Sequence, residues 1–229
     1  MTTTAPTPTP TLRSARRPGW PVPVALVALS AIPVVAGTLR LVQLAGGPEV
    51  MPADNRFEGL PLALVLHIAG AATYAVVGAF QFAPRFRSRH WSWHRRAGRI
   101  LAVAGLLVSG SALWLTIGYA PKPGTGDLLY GLRLAFATGM AACLVLGFSA
   151  IRRRDVRAHR AWMIRAYAIG LAAGTQAFTE GIGGAIFGTG QLRGDLAKAA
   201  GWVINLAVAE WAVRRAADAR AVEGVARPR

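Results

Sequence analysis

Six apolar stretches, each close to the roughly 20 residues a helix needs to cross a bilayer, alternate along this chain with short clusters of arginine. They fall at about 20–45, 60–83, 97–119, 128–150, 160–180 and 196–213. Hydrocarbon offers no water to backbone N–H and C=O groups, so every such stretch has to be helical. The spacing predicts an all-α fold, a polytopic transmembrane bundle of about six helices. A soluble chain that was 53% hydrophobic would spread its charges along amphipathic faces rather than bunch them. Glycines recur inside the stretches, among them Gly70, Gly78, Gly105, Gly147 and Gly174, and small residues let transmembrane helices approach closely.

Three regions follow. Residues 1–19 form a Thr/Pro-rich tail that cannot bury apolar surface and is expected to be disordered. Residues 20–213 form the six-helix transmembrane domain, and residues 214–229 a second, basic tail. The first apolar stretch carries Val34-Val35-Ala36 and could pass for a cleavable signal peptide. Its apolar run continues to about Ala45, broken only by Arg40, which favours an uncleaved helix.

Cations set the expected orientation. The N-terminal tail, the loops after the second and fourth stretches and the C-terminal tail together hold 19 arginines. The alternate loops hold only 4 cations, Arg56, Lys122, Arg193 and Lys198, beside Glu49, Asp54, Glu58, Asp127 and Asp195. This asymmetry predicts that both termini lie in the cytoplasm. The net charge of +16 also raises nucleic acid as a partner. The arginines sit at the ends of apolar segments, with no basic helix carrying interleaved aromatics, so the expected partners are anionic lipid headgroups and no nucleic acid.

Ionisable groups within apolar segments are costly, and each is a candidate site. They form two layers. The outer one holds Arg40, His67, Arg133, Gln176 and Glu180. His67 lies seven residues past Leu60, roughly 10 Å along the helix. Glu180 is expected to pair with an arginine there. Such a cluster fixes packing or serves a small solute or a proton. The inner layer holds Gln81, His90, His94, Arg99, His159, Arg165, Asn205 and Glu210. Arg165 and Glu210 are expected to pair between adjacent helices. His94 and His159 each precede a helix starting on the cytoplasmic side. At similar depth, two imidazoles could face one metal or one haem-b iron. Either could equally cap its helix. His67, roughly 20 Å from Gln81 along the same helix, cannot join that pair. Helix N-termini with arginines beside them would also attract an anion, such as a lipid phosphate or a phosphate-bearing metabolite. Cys143, alone in an apolar stretch, is expected to be a small buried hydrophobe.

Four motifs carry a resemblance. His67 stands ahead of Gly78-Ala79-Phe80-Gln81-Phe82, which is followed by His94-Arg95-Arg96-Ala97-Gly98-Arg99. The segment Arg154-Asp155-Val156-Arg157-Ala158-His159-Arg160-Ala161-Trp162-Met163-Ile164-Arg165 comes next, and Asn205-Leu206 with Glu210-Trp211 closes the series. Over roughly residues 60–215 the chain resembles the membrane-protein family known as domain of unknown function 2306. The resemblance implies a multi-helix protein of the bacterial inner membrane without an assigned activity. One departure is Gln176-Ala177, where the family pattern tends to have Leu-Arg.

Ordinary enzyme chemistry has no foothold: there is no Gly-rich phosphate loop, HExxH, nucleophile elbow or pair of catalytic carboxylates. The expectation is therefore a membrane protein binding a ligand at the cytoplasmic helix ends, where His94 and His159 would hold a cofactor. His67, Arg133, Arg99, Arg165 and Glu210 are the further ligand-binding candidates. The alternatives are a haem-b or metal-binding electron-transfer protein and a small-solute or proton transporter.

Overall fold

The computed structural model describes residues 20–52, 54–57 and 61–225. Helix α1 spans Pro21–Leu44, and α2 spans Leu62–Ala79 with a 3-10 extension at Phe80–Phe82. A short α3 (Pro84–Arg89) leads into α4 (Trp91–Gly118), followed by α5 (Asp127–Arg152). The chain continues as α6 (Val156–Gly170), α7 (Ala172–Phe187) and α8 (Gln191–Val225). No strand occurs among the described residues. The molecule is an all-α membrane bundle: among the described residues 5 helices (α1, α2 with its extension, α4, α5 and α8) are long and apolar enough to cross a membrane.

The remaining apolar stretch is divided at Leu171 into helices of 15 and 16 residues. Together they make one further pass along the bundle, as two contacts with α5 establish. At the start of α6, His159 Nδ1 lies 2.8 Å from the Gly147 carbonyl, near the end of α5. At the start of α8, an Asp195 carboxylate oxygen lies 3.0 Å from the Gly126 N–H, at the beginning of α5. The chain between them has returned along the length of α5. Leu171 keeps its N–H bonded to the Tyr167 carbonyl at 2.9 Å, so the interruption is a single residue.

Six antiparallel passes gather the described arginine clusters at one end. Trp20, ahead of α1, packs there on Phe80 and Phe86, with ring centroids 6.4 and 6.3 Å apart. At the opposite end Phe57 meets Tyr119 edge-on at 4.8 Å, and Arg56 donates to the Ala120 carbonyl at 3.3 Å. Between the ends the core is built from Tyr74, Leu101, Val108, Met140, Leu144, Tyr167 and Leu171. Cys143 joins it as the small buried hydrophobe expected. Side chains such as Ile117 and Ile186, both 66% exposed, point outward, as lipid-facing positions do. Glycine permits the closest approaches: a Cβ at Gly78 would collide with the Tyr167 ring, and one at Gly174 with the Leu29 carbonyl of α1.

Several boundaries differ from those the apolar runs suggest. Helix α4 begins at Trp91 rather than about 97, and α6 at Val156 rather than about 160. His94 and His159 are thus the fourth residue of their helices and do not precede them. Polar first turns carry no apolar periodicity, which is why hydropathy starts these helices late. The six residues of α3 escape for the same reason. Helix α8 continues to Val225, past the expected boundary at 213. The expected tail at 1–19 lies outside the described residues, as does the end of the second at 226–229.

Helix α5 ends in a Schellman turn. Asp155 N–H reaches the Ala150 carbonyl at 2.9 Å and Arg154 N–H the Ile151 carbonyl at 3.0 Å. This places Arg154 at the left-handed position, with φ of 63°, where glycine is usual. The Asp155 carboxylate then caps α6 by accepting from the Ala158 N–H at 2.9 Å.

Candidate functional site

At the arginine-rich end, the 3-10 turn after α2 tightens the backbone and places Gln81 among its neighbours. Its amide nitrogen and oxygen are both buried with no hydrogen-bond partner. An enclosed amide lacking a partner is destabilising by about 1–3 kcal/mol per group. His94, in the first turn of α4, stacks on Trp91 with centroids 5.5 Å apart and planes at 29°. Its Nδ1 is likewise buried and unpartnered. His159 and Arg87 are within electrostatic range of His94.

His159 is held differently. A carbonyl can only accept, so the 2.8 Å contact with Gly147 places the proton on Nδ1. Nε2 is then the ring nitrogen left for a metal, the arrangement found in histidines that bind one. The Phe82 and Tyr167 rings are 4.9 Å apart, and Tyr167 donates to the Ala75 carbonyl at 2.7 Å. The arrangement offers an amide and two imidazoles, of which the amide and one ring nitrogen lack protein partners. The donor set suits a borderline metal or haem iron. No group of 3 or more His, Cys, Asp or Glu among the described residues is placed to hold a metal, so a four-ligand structural zinc centre is not built here.

Arg165 and Glu210 form the expected pair, with Nε to Oε1 at 2.5 Å and Nη2 to Oε2 at 3.0 Å. Arg165 also lies over the Trp162 ring at 4.8 Å. The clasp joins α6 to α8, and its side chains are 25% and 36% exposed. Arg99 stands on the exposed face of α4.

The outer candidates do not form one cluster. His67 Nδ1 lies 3.1 Å from the Ser111 hydroxyl and 3.3 Å from the Val108 carbonyl, a contact between α2 and α4. Glu180 pairs with Lys198 at 2.7 Å and not with an arginine, because α7 and α8 are adjacent and place that lysine nearer. Gln176 donates to the Lys198 carbonyl at 3.0 Å. Arg40 bonds Gln43 and the Pro52 carbonyl, tying α1 to the following loop. Arg133 is half-buried, with Arg56, Asp195 and Glu180 as charged neighbours and no hydrogen bond or ion pair among the described residues.

Two residues gain roles that their sequence context did not announce. Asp195, 1% exposed, accepts from the N–H groups of Gly126 and Leu129 and so caps α5 from another helix. Asn205 spans the break at Leu171: its amide donates to the Ala168 carbonyl at 3.0 Å, and its oxygen accepts from Thr175 at 2.7 Å. A polar residue within an apolar stretch was the signal for Asn205. Asp195 looked like one more loop anion.

Residues 64–213 match the model of a family described as predicted membrane protein, DUF2306. No curated protein and no solved structure matches the chain.

Proposed function

The chain belongs to the DUF2306 family of predicted membrane proteins, and we propose that it binds a small polar ligand at the arginine-rich end of the bundle, through Gln81, His94 and His159. That end faces the cytoplasm of a bacterial inner membrane in this reading, by the positive-inside asymmetry. Its arginines take anionic lipid headgroups. One observation carries the proposal: Gln81 and His94 together bury three polar atoms without protein partners, and buried polar groups are nearly always hydrogen-bonded. A ligand with both donors and acceptors would satisfy them, on a rearrangement of the side chains that enclose them in this structure.

A second reading has its own support. His159, with its proton fixed on Nδ1 by Gly147, is oriented as a metal ligand is. With His94 it would hold a metal or the iron of haem b, which would supply one-electron chemistry when bound. A transport reading draws on a different feature: the α6–α7 pass is divided at Leu171, and it meets α1, a continuous helix that contains Pro33, at Gly174 and Leu29. Discontinuous helices are common in transporters.

The test starts from protein purified in detergent. Absorption spectra read haem, elemental analysis reads iron, zinc and copper, and native mass spectrometry reads organic ligands. The proposal expects one bound species, lost from Gln81→Ala, His94→Ala and His159→Ala while the far-ultraviolet circular dichroism is kept. A reducible Soret band lost only from the two histidine variants selects the haem reading. No bound species, or unchanged content in all three variants, overturns both.

A further inference from the structure

We infer that Arg133 anchors an oxyanion site at the end of the bundle opposite the arginine-rich end, between α5 and the neighbouring helices α7 and α8. It is distinct from the Gln81, His94 and His159 cluster.

Arg133 lies six residues past Asp127, about 9 Å into α5. It shares a stripe with Leu129, 0% exposed, and with Ala137 and Met140, both buried. One turn deeper, Phe136 stacks on Trp202 of α8 with centroids 4.6 Å apart. One turn shallower, Asp195 of α8 caps the start of α5. The guanidinium therefore stands on the face of α5 turned toward α8. Helical side chains lean toward their N-terminus, which directs it toward the bundle end.

Its neighbours are committed elsewhere. Asp195 uses its carboxylate on the N–H groups of Gly126 and Leu129. Glu180 holds Lys198 at 2.7 Å, and Asp54 holds Arg56 through two contacts of 2.5 and 2.7 Å. Among the described residues, Arg133 alone of these cations has neither hydrogen bond nor ion pair, and its nitrogens are not enclosed as those of Gln81 are. Five donors in a rigid planar fork match the two oxygens of a carboxylate or phosphate. Arg56 is paired with Asp54 and Lys198 with Glu180, so the attraction for an anion comes from the guanidinium itself, with the dipole of the α5 N-terminus beside it. The ligand class is thus an oxyanion, either a soluble phosphate or carboxylate or the phosphodiester of a lipid headgroup.

Protein in a phosphate-free glycosidic detergent is titrated with inorganic phosphate and, separately, with short-chain phosphatidylglycerol, and its thermal midpoint is followed. We expect at least one of them to raise the midpoint, and Arg133→Gln to weaken that response at least about tenfold. Lys122→Gln, at the same end, should leave it unchanged. A response to phosphate identifies a soluble oxyanion site, and a response to the lipid alone a headgroup site. No response to either, or one retained in Arg133→Gln, overturns the inference. Should Arg133→Gln fail to fold, phenylglyoxal labelling of the native protein decides. Protection of Arg133 by either anion supports the site, and equal labelling with and without both rejects it.

Discussion

The carbonyl oxygen of Leu29 in α1 faces the Cα of Gly174 in α7. Pro33, four residues after Leu29, has no N–H to give, so this carbonyl lacks its helical donor. A Cβ at Gly174 would overlap the oxygen and lie 3.0 Å from the Leu29 carbonyl carbon. A hydrogen on the glycine Cα can approach where a methyl cannot. Gly174→Ala should therefore lower thermal stability by about 1–3 kcal/mol. Gly181→Ala, on the same helix with nothing within 4 Å of its Cβ, should be neutral or stabilising by up to about 1 kcal/mol. Similar melting of the two variants would deny the contact any structural weight.

Arg165 and Glu210 hold α6 to α8 through two hydrogen bonds. Because the side chains are 25% and 36% exposed, the loss on Glu210→Ala is set at about 1–2 kcal/mol, below that of a fully buried pair. Glu49→Ala, on an exposed loop position, should change little. A double-mutant cycle with Arg165→Ala isolates the pair, and a coupling energy near zero would show that it contributes only through separate contacts.

Asp195 satisfies two N–H groups at the start of α5. Asp195→Ala removes that cap and should cost about 2 kcal/mol. Asp127→Ala, at an exposed first-turn position, should cost less. Amide exchange gives the direct readout: Gly126 and Leu129 should lose protection in Asp195→Ala alone, and unchanged exchange there would reject the capping role.

Arg154 occupies the left-handed position of the turn after α5. L-residues with a Cβ are strained there by roughly 1–2 kcal/mol. Part of the relief in Arg154→Gly is offset by the greater freedom of glycine in the unfolded chain. The net expectation is a gain of about 0.5–1 kcal/mol. A loss of stability in urea or heat unfolding would show that the arginine side chain contributes more than its backbone geometry removes.

The Arg56 guanidinium beside Asp54 holds that carboxyl below the usual carboxylate range. A group with a depressed folded pKa binds its proton more readily when unfolded. Its stabilisation is therefore full above the ordinary carboxylate value of about 4 and fades as pH falls through the lower folded value. The thermal midpoint should drop as pH falls below about 4, and Asp54→Asn should flatten part of that drop while lowering the plateau above it. Superimposable profiles for the two proteins would remove Asp54 from the acid response.

The membrane bundle and the gathering of its described arginines at one end are legible in the amino-acid order alone, as is the Arg165–Glu210 pair. The first two follow from hydrocarbon thickness and backbone satisfaction, which act on any apolar run of sufficient length. The pair is legible because a carboxylate and a guanidinium in neighbouring apolar helices have few other partners. Which polar groups are satisfied depends on the packing of the helices. Asp195 caps a helix that starts 68 residues before it, at Asp127, and Glu180 found Lys198 where an arginine was expected. The break at Leu171, bridged by Asn205, and the unpartnered atoms of Gln81 and His94 were equally hidden. Hydropathy is a sum along the chain, whereas hydrogen bonding depends on distances of about 3 Å between helices. Those distances are set by the rotation and depth of each helix in the packed bundle, which no single apolar run encodes.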